Sequence, residues 1–176
     1  MNLSETERLI LANQYQLLSM QDNNYISQET AENYSTILLE GYELLYEDIF
    51  LEMDDTLSSE RCRFALDVLS MYRVIDNSYH KLENPTSLTE QDIAFKGFDG
   101  NNEKEYSFVK FFIKDMDRFN DLTDNEYMEF NSHSISIPRY KRQLAKYNEI
   151  IEDNKKNDSI NYLILDEEDI KIILNL

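Results

Sequence analysis

Two histidines, one cysteine and one glycine-punctuated loop are the places in this 176-residue sequence where chemistry would first be sought. His80 and His133 are too few for most hydrolytic metal sites, and neither has a Glu three residues before it, as a carboxylate-bridged di-iron bundle requires. Cys62 has no second thiol within CxxC spacing, so it reads as a small core residue on an apolar helical row. The loop AFKGFDGNNEKEY, Ala94 to Tyr106, holds two of the three glycines. It lacks the Lys-Ser/Thr ending of a phosphate loop. It also fails as a calcium loop: counted from Asp99, the positions that need Gly and Glu hold Lys104 and Lys110. The remaining enzymatic alternative is a hydrolase that uses His133, in a loop before Pro138, for proton transfer. No nucleophile or oriented partner accompanies it. The residues therefore assign no catalytic group, no metal ligand and no cofactor.

Charge says more than reactive side chains do. The net charge is -18, which repels nucleic-acid phosphate and anionic lipid, so no direct nucleic-acid or membrane binding is expected. Between Arg8 and Arg61 there is no Lys or Arg, yet eleven Asp or Glu residues. Glu40, Glu43 and Glu47 repeat at helical spacing, where like charges repel unless solvent screens them or a cationic partner meets them. Screening is the default reading, and Arg139, Lys141, Arg142 and Lys146 form a cluster to which the acidic face of another subunit is the alternative partner; a homo-oligomer assembled through the long helical hairpin is expected. A second reading makes the chain a nucleic-acid mimic that occupies a basic protein partner. The N-terminus MNLSETERLI lacks a signal peptide's basic and apolar regions, and the lone cysteine suits a reducing compartment; a cytoplasmic protein is expected.

Helices must position these residues. Gly 3 and Pro 2 are far too few to punctuate many short strands, and 41% hydrophobic residues supply a core. Ser4 and Glu7 make a capping box for a helix over about 5 to 20, with Leu9, Asn13, Leu17 and Met20 inward and Ile10 and Leu18 widening the face. Ala31, Tyr34, Leu38, Gly41, Leu45, Ile49 and Met53 predict one long helix over about 28 to 54, with Gly41 admitting a neighbouring helix. Its opposite arc carries Glu29, Glu32, Glu40, Glu43, Glu47 and Asp54. A third long helix follows a Ser58 or Ser59 cap, buries Cys62, Leu66, Leu69, Tyr72, Ile75, Tyr79 and Leu82, and ends at Asn84 and Pro85. A short connection makes helices two and three a long antiparallel hairpin.

Shorter elements complete the chain. Ser87 and Glu90 cap a brief helix that Gly97 closes, and Asn102 and Glu105 cap a helix over about 103 to 119 with Tyr106, Val109, Ile113 and Met116 inward. In that segment SFVKFFI leaves a strand as the alternative. Thr123 and Glu126 cap a helical turn through Met128, and FNSHSIS reads as an irregular loop. Pro138 opens a helix through Tyr140, Leu144, Tyr147 and Ile151, ended by the polar run EDNKKNDS. NYLIL reads as a short extended segment, and Asp166 caps a last helix that docks through Ile170, Ile173 and Leu174. The expected architecture is all-α and multihelical, with an N-terminal helix and long hairpin over 1–86 and a smaller helical subdomain over 87–176.

Several segments together carry a resemblance: ERLILANQYQLLSM at 7 to 20, GY at 41 and 42, CRFALDVLSMY at 62 to 72, GFD at 97 to 99, FN at 130 and 131, and Tyr140 through Leu144. The chain resembles the bacterial YfbU family over nearly its whole length. That resemblance implies a multihelical fold of a long hairpin plus a second helical subdomain, and it carries over no reaction and no catalytic residues. Some relatives join the domain to a DNA-binding helix-turn-helix, and one association connects the family to cell-death regulation, so the implied role is ligand sensing or protein interaction. This sequence departs from the family by a longer stretch at Asp153 to Leu165 and by its acidic second helix. Asn13, a polar residue within an apolar stripe, must find a hydrogen-bond partner. With Tyr15, Phe98 and Asp99 it marks the expected small-molecule site, where helix one meets the GFD turn.

Overall fold

A computed structural model describes residues 2–21, 25–50, 55–82, 87–122, 129–157 and 160–176. Among them stand eight α-helices and no strand, so the chain is all-α and multihelical. The expected boundaries Met53, Asp54, Asn84, Pro85, Thr123, Glu126 and Met128 lie outside the described residues. The chain divides into two compact units, Met1–Thr56 and Leu57–Leu176, whereas the sequence reading grouped 1–86 and 87–176.

In the first unit, α1 (Glu5–Ser19) starts with the predicted capping box: the Ser4 N–H donates to Glu7 Oε2 at 2.8 Å, and the Glu7 N–H donates to Ser4 Oγ at 3.3 Å. Helix α2 (Gln28–Glu40), capped by Ser27, packs along it. The predicted inner face of α1 is corrected: Leu9, Ile10, Leu17 and Met20 are each more than half exposed, and Asn13 is exposed too. Arg8, Leu11, Ala12, Tyr15 and Ser19 face inward instead. Ala12 and Ser19 are small enough to admit α2. Arg8 fixes the rotation, because its Nε and Nη2 donate to the carbonyls of Leu38 and Leu39 at 2.9 and 3.0 Å. Those carbonyls end α2, where a cation also meets the negative end of the helix dipole.

The single long second helix is corrected as well. Gly41, at φ 72°, caps α2 in the left-handed conformation; a 3₁₀ turn (Glu43–Leu45) and α3 (Tyr46–Phe50) follow. An added Cβ on Gly41 would lie 3.0 Å from the Arg8 guanidinium, so the close neighbour is a side chain rather than a helix backbone. Ala31, Leu38 and Ile49 of the predicted stripe are buried all the same. Helix α2 and the third predicted helix belong to different compact units, so the close helix pair of the first unit is α1 with α2.

The second unit is built around α4 (Ser59–Tyr79), capped by Ser58, which packs against α5 (Glu90–Ile93), α6 (Glu105–Lys110), α7 (Ile137–Asn157) and α8 (Glu167–Leu174). Its Leu69, Tyr72 and Ile75 are buried as predicted, beside Ala65, Val68 and Met71. Two predicted caps differ. Thr89 and Asp92 box α5 rather than Ser87 and Glu90, and the Ser87 hydroxyl bonds Glu167 instead. Glu105 does not cap α6: its buried carboxylate is gripped by Arg61 through Nε at 2.7 Å and Nη2 at 2.6 Å. Helix α6 runs on through a π-turn, Phe111–Asp115, so the helix reading holds over the strand alternative, with Val109 and Ile113 buried but Met116 exposed. Helix α7 continues to Asn157, through the polar run expected to stop it. Of NYLIL, residues 161–163 form a turn rather than an extended segment, and Leu165 at its end is buried, its N–H donating to Ser78 Oγ at 3.1 Å. Helix α8 is capped by Asp166 and docks through Ile170 and Ile173 as predicted.

The GFD turn and the FNSHSIS loop are one structure. The Phe98 N–H donates to Phe130 O, and the Ser132 N–H to Phe98 O, both at 3.0 Å, an isolated parallel bridge. Gly97, at φ 81°, closes no helix; an added Cβ would stand 1.7 Å from Phe130 O. Asn131 Oδ1 accepts from the Gly100 and His133 N–H groups, and the Tyr140 hydroxyl donates to Gly97 O at 2.7 Å. Beneath lie Phe95, Phe98, Phe130, Tyr72 and Tyr140; the two tyrosine rings cross at 87° with centroids 5.8 Å apart.

Candidate anion-binding cleft between α7 and α8

Helix α7 begins without an acidic first turn, and a carboxylate from elsewhere takes that role. Glu103, buried, accepts from the Ser136 N–H (2.8 Å), the Ile137 N–H (2.8 Å), the Ser136 hydroxyl (2.6 Å) and the Asp99 N–H (2.8 Å). Burial pushes its carboxyl up, but these bonds outweigh burial and leave it below the ordinary carboxylate value. This anchor sets the start of α7 and, with the inward Tyr140, the rotation of the helix. Arg139, Arg142, Gln143 and Lys146 then fall at i, i+3, i+4 and i+7, on one stripe.

That stripe forms one wall of a cleft of about 430 Å³. Ala145 lies beside it, and Ile172, Ile173, Leu174 and Asn175 from the end of α8 form the other wall. Asn175 closes α8 in the left-handed conformation at φ 61°. The notable member is Arg139: its Nε and Nη2 are hidden from solvent and make no hydrogen bond among the described residues. Its guanidinium lies against the Tyr140 ring, 4.8 Å from the centroid. Burial pushes the Tyr72 phenol up to about 12 and raises that of Tyr140 as well, with the Arg139 charge opposing both shifts. Tyr72 stays a neutral donor to Gln143 Oε1 at 3.2 Å. Arg142 is exposed, and Lys146 contacts Glu149 at 2.9 Å.

A guanidinium's planar fork matches a carboxylate or a phosphate. The cleft can therefore hold an anion. Its described lining contains no Ser, Thr, Cys, His, Asp or Glu, and Lys146 is its one titratable amine. A second cleft in the same unit, about 420 Å³, is lined by Asp76, His80, Glu90 and Asp121; Asp121 is held by Arg73, and His80 Nδ1 lies 2.9 Å from Asp76 O.

The predicted site residues are distributed as follows. The structure brings Arg139, Arg142 and Lys146 together, while Lys141 is exposed and off the stripe. Glu40, Glu43 and Glu47 are exposed but sit on α2, the 3₁₀ turn and α3, not on one helical arc. Asn13 is exposed, so its amide needs no buried partner, and Tyr15 meets Tyr34 edge-on at 5.3 Å. Phe98 is fully buried in the second unit. Asp99 is a turn residue: Asn102 Nδ2 and the Asn101 N–H donate to its carboxylate at 2.7 and 3.0 Å and hold it below the usual range against burial. His133 is exposed at φ 51°. Gln143 and the α8 wall were not read from the sequence. The spacing of 139, 142, 143 and 146 was visible there, but the helix facing it was not. No described helix is long and apolar enough to cross a membrane.

Comparison with known proteins identifies the family. A family model described as the YfbU domain matches residues 1–176. A UPF0304 protein of Methanocaldococcus jannaschii is 38% identical over an alignment of 160 residues, covering 83% of this chain and 90% of the relative.

Proposed function

The chain belongs to the YfbU family, and from that premise we propose that it is a non-enzymatic, cytoplasmic binding module that forms homo-oligomers and seats an anionic small molecule between α7 and α8. One observation supports the ligand reading: Arg139, Arg142 and Lys146 share one stripe of α7 along a cleft closed on its other side by the end of α8. An anion held by that stripe binds the folded chain, so binding and stability are linked.

Thermal unfolding with a panel of small carboxylates and inorganic phosphate, each against chloride at equal ionic strength, tests this. At least one anion is expected to raise the midpoint beyond the chloride control, and Arg139→Met to abolish the rise. If no anion exceeds chloride, the cleft is not a ligand seat.

A further inference from the structure

We infer that the outward face of α1 is an interface between two copies of this chain, paired about a twofold axis through Asn13. The inference rests on the homo-oligomer proposed above, names one contact of it, and is independent of the anion seat. At about 100° per residue, Thr6, Leu9, Ile10, Asn13, Leu17 and Met20 fall within one arc of about 100°. Helix α1 packs on α2 through its opposite side, where Ala12 and Ser19 are buried. Leu9, Ile10, Leu17 and Met20 are left 54%, 52%, 60% and 72% exposed.

Charge selects the occupant. The charged residues of α1 are Glu5, Glu7 and Arg8, and all of them lie outside the arc. In a chain of net charge -18, most contacts between two copies bring like charges together; an arc without charge is where they do not. The same net charge opposes an anionic lipid surface, and a basic protein would find no carboxylate within the arc to meet.

The pattern is also self-complementary. Leu9 and Leu17 stand four positions to either side of Asn13, and Thr6 and Met20 stand seven. A half-turn about an axis through Asn13 therefore sets Leu9 of one copy against Leu17 of the other, twice, with the rows of every fourth residue interdigitating. The two Asn13 amides then face each other. An amide carries both donor and acceptor, so it can hydrogen-bond its own copy, and one polar residue in an apolar contact fixes the register. The four apolar side chains expose roughly 400 Å² per copy, the size of patch that marks an interaction site on a monomer. Two such faces with their rims bury about 1,000 Å², the lower bound for specific association, so a dissociation constant on the order of micromolar is expected.

Sedimentation equilibrium of the full chain tests this at about 100 μM in about 0.5 M sodium chloride, where pairing of acidic residues with α7 is screened. A dimer is expected. Leu17→Glu and Asn13→Asp, at exposed positions that folding tolerates, each place a charge in the contact twice and should raise the dissociation constant about a hundredfold. Leu44→Glu, at a residue 91% exposed outside α1, should leave the dimer intact. Far-ultraviolet dichroism checks that each variant keeps its helices. A chain that is monomeric in high salt but associates in low salt would overturn this interface and leave the charge pairing, and a monomer in both would overturn both. A dimer that survives Leu17→Glu and Asn13→Asp, or that Leu44→Glu dissolves equally, would overturn the inference by placing the contact elsewhere.

Discussion

Glu103 receives four hydrogen bonds from two segments far apart in the sequence, so one carboxylate fastens the GFD turn to the start of α7. Its folded carboxyl lies below the unfolded value near 4.5. A depressed folded value means that the group stabilises the protein above the unfolded value, and that this contribution is lost as pH falls from there through the folded value. Glu103→Gln should therefore cost about 1–3 kcal/mol at neutral pH, with a shallower loss of stability in acid. Urea unfolding of both proteins from pH 7 to pH 3 measures this: the curves should converge in acid, and parallel curves would show that Glu103 stays ionised throughout.

The elements show how much of this arrangement the sequence held. Gly97 and Gly41 both occupy left-handed conformations, yet they are not equivalent. An alanine methyl at Gly97 would strike backbone at Phe130 O, whereas at Gly41 it meets the movable guanidinium of Arg8. Gly41→Ala should cost about 1 kcal/mol, the ordinary left-handed penalty. Gly97→Ala should cost several times as much, because the bridge from Phe98 to Phe130 and Ser132 must open; chemical denaturation of the two variants side by side is the measurement, and equal losses would refute it. Local rules found what local physics decides: the Ser4 box, the Ser58 and Asp166 caps, the buried row of α4 and the docking face of α8. What failed depended on partners distant in sequence. The facing of α1 was misread because apolar residues lie on both of its sides and Arg8, reaching α2 carbonyls some 30 positions away, decides between them. The cap assigned to Glu105 was lost to Arg61, 44 positions earlier. Of the cleft, the basic stripe was legible in helical spacing; the burial of Arg139 and the wall from α8 were not.

At the scale of the molecule, charge is divided unevenly. Arg8 is the one Lys or Arg in the first unit, while α7 of the second carries Arg139, Lys141, Arg142 and Lys146. Like faces of two copies repel, so the proposed homo-oligomer pairs the acidic residues of one copy with α7 of another. Reversing Glu40, Glu43 and Glu47 to Lys should lower the mass found by sedimentation, and added salt should lower that of the unaltered chain through screening. An unchanged mass in the triple variant would discard the pairing. The crossed tyrosines at the junction of turn and helix have a further consequence. With no tryptophan in the chain, near-ultraviolet dichroism falls to tyrosine and phenylalanine, and Tyr72 and Tyr140 are two chromophores held at a fixed angle. The polypeptide therefore carries its own optical gauge of packing, reporting without any added label on the crossed pair of the second unit and on the Tyr15–Tyr34 pair of the first.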